Sequence, residues 1–130
     1  MMNQSDKMQF NAQLRERATN MAVEVRNFLR KTEIEPIDRH IVNQVIRSSS
    51  SVAANYSAAT RGRSDAEYFS KLCIVVEECD ETLFWINYLV KISVLRSEET
   101  ASILDEVEQL VRLFNSIKRK MREKIKGNQV

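Results

Sequence analysis

A chain of 130 residues with a formal net charge of +2, 43% hydrophobic and 29% charged, is the length of one domain. Its mean hydropathy is −0.38, and its apolar runs are far too short for a transmembrane helix. With only 2 Gly and 1 Pro, well below average usage, it should form few, long elements.

The opening stretch MMNQSDKMQF lacks the apolar core of a secretory signal, so the cytoplasm is the expected compartment. A first helix is predicted over residues 7–31, with Leu14, Ala18, Met21, Val25 and Phe28 in one stripe. Pro36 cannot continue it and disfavours helix at Glu35. A second helix is predicted over 38–61, with Asp38 as N-cap and Ile41, Val45, Ser48, Val52, Asn55 and Ala59 as its stripe. The period runs on through Ser48–Ser51, so these serines are read as small residues at a close helix–helix contact. Gly62 is read as a left-handed stop.

The third helix, 64–92, opens on Ser64-Asp65-Ala66-Glu67, a capping box. Phe69, Leu72, Val76, Cys79, Leu83, Ile86 and Val90 alternate by 3 and 4, and Tyr68, Val75, Thr82 and Leu89 recur every seven. Phe84, Trp85 and Tyr88 add further apolar surface. One helix of a monomeric bundle needs a single stripe, so the surplus predicts contact with another subunit through Tyr68, Val75, Phe84, Trp85 and Tyr88. The fourth helix, 97–126, is expected to be capped by Ser97 and to stop at Gly127, with Ile103, Val107, Leu110, Phe114, Ile117 and Met121 as its stripe. Helices joined by short loops must run antiparallel, so the expected fold is all-α, an up-down-up-down antiparallel four-helix bundle forming one domain over 1–130.

That topology gathers charge. The start of helix 1, the 2–3 joint and the end of helix 4 share one pole, which holds Lys7, Arg15, Arg17, Arg61, Arg63, Lys71, Lys118, Arg119, Lys120, Arg122, Lys124 and Lys126. Its acids are Asp6, Glu16, Asp65, Glu67 and Glu123, so the pole carries an excess of +7 and the remainder −5. A concentrated basic end attracts phosphate backbones; the bland alternative is a solvated helix end satisfying its dipole. No aromatic–basic interleaving marks a base-stacking platform, so backbone contacts would dominate.

Catalytic and metal chemistry find little support. Glu77, Glu78, Asp80 and Glu81 cluster, but a di-iron bundle needs Glu-x-x-His motifs, and His40 is the only histidine. The cluster is read as an acidic face, solvated or paired with a neighbour's arginines. Cys73 and Cys79, roughly 120° apart on a helix, are neither a disulfide nor a C-x-x-C pair and are read as small core residues. There is no second histidine, nucleophile elbow or Gly-rich phosphate loop, so no enzyme, cofactor or small-molecule substrate is expected. Asn55 is expected to be a structural polar residue that fixes register.

The stretch QVIRSSSSVAANYSAATRGRSDAEYFSKLCIVVEECDETLFWINYL, 44–89, resembles the four-helix-bundle proteins first noticed as open reading frames in intervening sequences of bacterial 23S rRNA genes. Gln44, Arg47, Asn55, Arg61, Arg63, Ser64 and Glu67 match that pattern, whereas Ala58 and Ala59 replace a common Glu-Gly. The resemblance implies a non-catalytic protein that assembles into a closed ring, a homo-oligomer of pentameric type, and binds RNA or DNA. Accessory proteins of diversity-generating retroelements, which bind template RNA and a reverse transcriptase, are similar. Together with the charge of the pole, this makes Arg61, Arg63, Lys118, Arg119, Lys120, Arg122, Lys124 and Lys126 candidate phosphate contacts. Arg47 is a further candidate that could pair instead with a neighbouring subunit's acids.

Overall fold

The computed structural model describes residues 2–128; Met1, Gln129 and Val130, at the ends of the span read as one domain, lie outside the described residues. Helices α1 (Gln4–Arg30), α2 (Arg39–Ala59), α3 (Asp65–Lys91) and α4 (Ser97–Asn128) follow one another, with a 3-10 turn at Pro36–Asp38 leading into α2. Each packs against its chain neighbour, and α1 closes on α4 through the thinnest of the four seams. Among the described residues the backbones of the diagonal pairs do not approach one another closely, so this is an antiparallel four-helix bundle without strands.

The core follows the helical period. Leu14, Ala18, Met21, Val25 and Leu29 line α1, and Val107, Leu110 and Phe114 line α4. In α2, Val45, Ser48, Ser49 and Val52 are buried, and Thr82 of α3 donates to Ser48 Oγ at 2.8 Å. The serine run is therefore the close contact its period implies: short side chains let α2 and α3 approach, and each buried hydroxyl bonds locally, Ser48 to Val45 O and Ser49 to Ile46 O.

Several local expectations are corrected. α1 starts earlier than predicted because the Asn3 side chain accepts the Asp6 N–H at 2.8 Å. Asp38 caps nothing with its side chain and instead ends the 3-10 turn. Asn55 is half-buried, and its Nδ2 donates to Ser51 O and Ser51 Oγ, both at 2.9 Å, within α2. It thus ties no second helix, and Tyr56 fills the core position beside it. Gly62 has no positive φ; a Cβ there would lie 3.1 Å from Ala59 O and 3.3 Å from Glu67 Cβ, so close approach is what favours glycine. Among the described residues the one that does adopt the left-handed conformation is Ser93, φ 65°, after α3. Ser64 Oγ accepts the Glu67 N–H at 3.1 Å, as a cap should, but the Glu67 carboxylate reaches back to the Arg63 N–H at 2.6 Å. Ser97 is the first residue of α4 rather than its cap, and α4 runs through Gly127.

The largest correction concerns α3. Val75, Thr82 and Leu89, the row read as surplus, are all 0% exposed within the single chain. α3 packs against both α2 and α4, so it buries a face wider than one stripe, and Val75 is not available to another subunit. Phe69, expected in the core stripe, is only half-buried and lies outside the core cluster.

Candidate nucleic-acid interface

Contacts among all four helices build the basic pole. The Tyr56 hydroxyl on α2 donates to Asn11 Oδ1 on α1 at 3.2 Å and lies 3.3 Å from the Tyr68 hydroxyl on α3. Its ring packs 5.3 Å from that of Phe114 on α4. Burial pushes both tyrosine hydroxyls above their ordinary pKa, so they act as neutral hydrogen-bonding groups. Around this aromatic centre, Arg15 donates to Thr60 Oγ1 at 3.0 Å, and Lys124 of α4 pairs with Asp65 of α3 at 3.3 Å. The Arg122 guanidinium lies 5.8 Å from the centroid of the Phe69 ring.

The structure thus brings the start of α1, the α2–α3 joint and the end of α4 together. Arg61 and Arg63 are exposed, and among the described residues neither forms an ion pair. Lys7, Lys71, Arg119, Lys120 and Lys126 are likewise exposed and without ion pairs there, while Lys118 is half-buried. At the α2–α3 joint, Gly62, between the two arginines, lies close against the first turn of α3.

Two cations do not belong with this group. Arg17 lies midway along α1, where it donates to Glu106 at 2.9 and 2.7 Å and to Gln109 at 2.9 Å. The Glu106 hydrogen bonds raise its pKa, and setting Arg17 aside lowers the excess at the pole from seven to six. Arg47 stands about 18 Å along α2 from that helix's end. Its Nη2 donates to both Glu81 oxygens at 3.0 and 3.1 Å, its Nη1 lies 3.4 Å from Glu78 Oε2, and its Nε donates to Gln44 at 3.2 Å. Its carboxylate partners are therefore in its own chain. Glu78 Oε2, buried from water, has Arg47 as an ion-pair partner but no aligned hydrogen bond.

Of the five candidate interface residues, three form an exposed patch. Phe84 is 58% and Tyr88 39% exposed, and Trp85 is half-buried between them. Ring centroids are 4.9 Å apart for Phe84–Trp85, 5.5 Å for Trp85–Tyr88 and 6.4 Å for Phe84–Tyr88. Trp85 Nε1 donates to Glu81 at 3.4 Å, which links the patch to the Arg47 network. Tyr68 is half-buried and committed through its hydroxyl to Tyr56.

Among the described residues no three His, Cys, Asp or Glu side chains are grouped to hold a metal, and no helix is long and apolar enough to cross a membrane. The buried Cys79 thiol is pushed up to about 12 by burial, which leaves it inert. Sequence reasoning missed the Phe69–Arg122 and Arg17–Glu106 pairs, because each joins helices distant in the chain.

The sequence pattern of the family described as 23S rRNA-intervening sequence protein matches residues 11–116, a span that includes Arg61 and Arg63 and ends before Lys118. No curated protein matches the chain. Among solved structures, it is similar to a protein of unknown function from the S23 ribosomal protein family of Bacteroides thetaiotaomicron. The two are 24% identical over 80% of this chain and 96% of that one, with a TM-score of 0.71, which shows a shared fold.

Proposed function

This chain belongs to the 23S rRNA-intervening sequence protein family, and from that premise we propose that its basic pole binds the phosphate backbone of RNA or DNA without catalysing a reaction. One observation carries the reading: Arg61 and Arg63 stand exposed and, among the described residues, without an ion pair at the α2–α3 joint, beside the lysine- and arginine-rich end of α4. Phosphates brought there meet cations that need not first leave a carboxylate, and binding releases counterions from the nucleic acid. Lys118, Arg119, Lys120, Arg122, Lys124 and Lys126 extend the surface along α4.

In the same reading the protein is a homo-oligomer, a ring of pentameric type, whose subunits meet through Phe84, Trp85 and Tyr88. An exposed aromatic cluster of this kind suits a protein–protein contact. That cluster also favours a second reading, a scaffold or accessory subunit that docks a protein partner such as a reverse transcriptase. The cytoplasm is the compartment that suits either reading.

The double variant Arg61→Glu/Arg63→Glu tests the first reading. Its affinity for RNA should fall and the salt dependence of binding should flatten. Unchanged affinity would move the site elsewhere. Excess unrelated polyanion separates the two readings, because a scaffold keeps its protein partner while a phosphate-binding pole is saturated.

A further inference from the structure

We propose that Phe69 and Arg122 form a stacking site for an unpaired base, so that the basic pole prefers single-stranded nucleic acid to duplex. This rests on the reading of the pole as a phosphate-binding surface and names the form of nucleic acid it takes. The aromatic interior of this end is already supplied by Tyr56, Tyr68 and Phe114, whose rings and hydroxyls satisfy one another. Phe69 is apart from them: its ring is half-buried and outside the core cluster, with the Arg122 guanidinium 5.8 Å from its centroid.

An aromatic ring beside an exposed planar cation offers two surfaces to a base. The base can take the place of the guanidinium against the ring, or stack on the guanidinium's outer side. Either requires a free base face, which a duplex hides. The flanking phosphates have their cations at hand. A Cβ on Gly62 would lie 3.4 Å from Tyr68 N, so the segment bearing Arg61 and Arg63 runs against the turn that carries Phe69. On the other side Lys124 reaches Asp65, one turn before Phe69. The competing account is a structural tie between α3 and α4, which an aliphatic side chain of similar bulk would largely replace.

The test measures fluorescence anisotropy of a short labelled pyrimidine RNA, single-stranded or annealed to its complement, with the full chain at low salt. The wild type should bind the single strand more tightly than the duplex. Phe69→Leu, confirmed as folded by circular dichroism, should lose roughly tenfold on the single strand, with its salt slope unchanged and duplex binding unaffected; Phe69→Tyr should restore the loss. Equal affinity for both probes in the wild type, or unaltered single-strand binding by Phe69→Leu, overturns the proposal. Binding to neither probe overturns the phosphate reading itself and the stacking site with it. A loss confined to Arg61→Glu/Arg63→Glu, with Phe69→Leu unaffected, overturns stacking alone.

Discussion

Thr82 on α3 and Ser48 on α2 meet hydroxyl to hydroxyl at 2.8 Å, both completely buried, in the seam between the two middle helices. A seam built this closely tolerates neither an added side chain nor an unmatched polar atom. Thr82→Val keeps the shape and removes the bond, and should cost about 1 kcal/mol. Ser48→Leu forces the helices apart and should cost about 1–3 kcal/mol or more. Urea unfolding measures both, and an equal or smaller loss for Ser48→Leu would show that the seam is looser than the geometry implies.

Stability should fall as the solution becomes alkaline. Burial raises the Cys79 thiol from 9.0 to about 12 and raises Tyr56 and Tyr68 above their ordinary value. For each, the folded chain holds its proton more tightly than the unfolded chain. Their contribution is therefore complete below the unfolded pKa and is lost as pH rises towards the folded one, from about pH 9 upward. Chemical unfolding at stepped pH should show this decline, and Cys79→Ala combined with Tyr56→Phe should flatten it. A stability curve that stays level above pH 9 in the wild type contradicts the burial of these groups.

Ser93→Gly should stabilise the chain by roughly 1 kcal/mol. The serine holds φ 65° just after α3, where its Cβ crowds the backbone and glycine's absence of one removes the strain. A thermal melt that moves upward supports this, and one that moves downward shows that the hydroxyl does more for the turn than its conformation costs.

The aromatic patch makes a separable prediction about assembly. Phe84→Asp changes the most exposed of the three rings, so it should lower the mass of the proposed oligomer in solution while leaving the helical signal and unfolding midpoint nearly unaltered. Trp85→Ala and Tyr88→Ala should act in the same direction, with Trp85→Ala costing more stability because its ring is half-buried. Loss of the folded monomer with Phe84→Asp would make the patch intrachain core.

Hydrophobic period made the bundle legible in the sequence, since the stripes of α1 and α4 and the small residues of α2 each face a neighbour in one chain. The reading erred where one residue or one turn decided the matter. Asn55 and the buried Tyr56 are adjacent, and a stripe drawn through small residues cannot choose between them. The row Val75, Thr82, Leu89 looked surplus because a heptad pattern does not say how many neighbours a helix has, and α3 has two long ones. The cation list came from topology and placed Arg61 and Arg63 at one end, but no local pattern says that Arg17 is held by Glu106, Arg47 by Glu78 and Glu81, or that Arg122 lies over Phe69. Such pairings depend on how helices distant in the chain are rotated about their axes.

Light-scattering mass of the purified protein, alone and with a structured RNA that has single-stranded loops, at low and at high salt, tests the central claim most directly. The account predicts an oligomer that gains RNA mass at low salt and sheds it at high salt. An oligomer whose mass is indifferent to RNA at low salt would contradict the phosphate-binding pole.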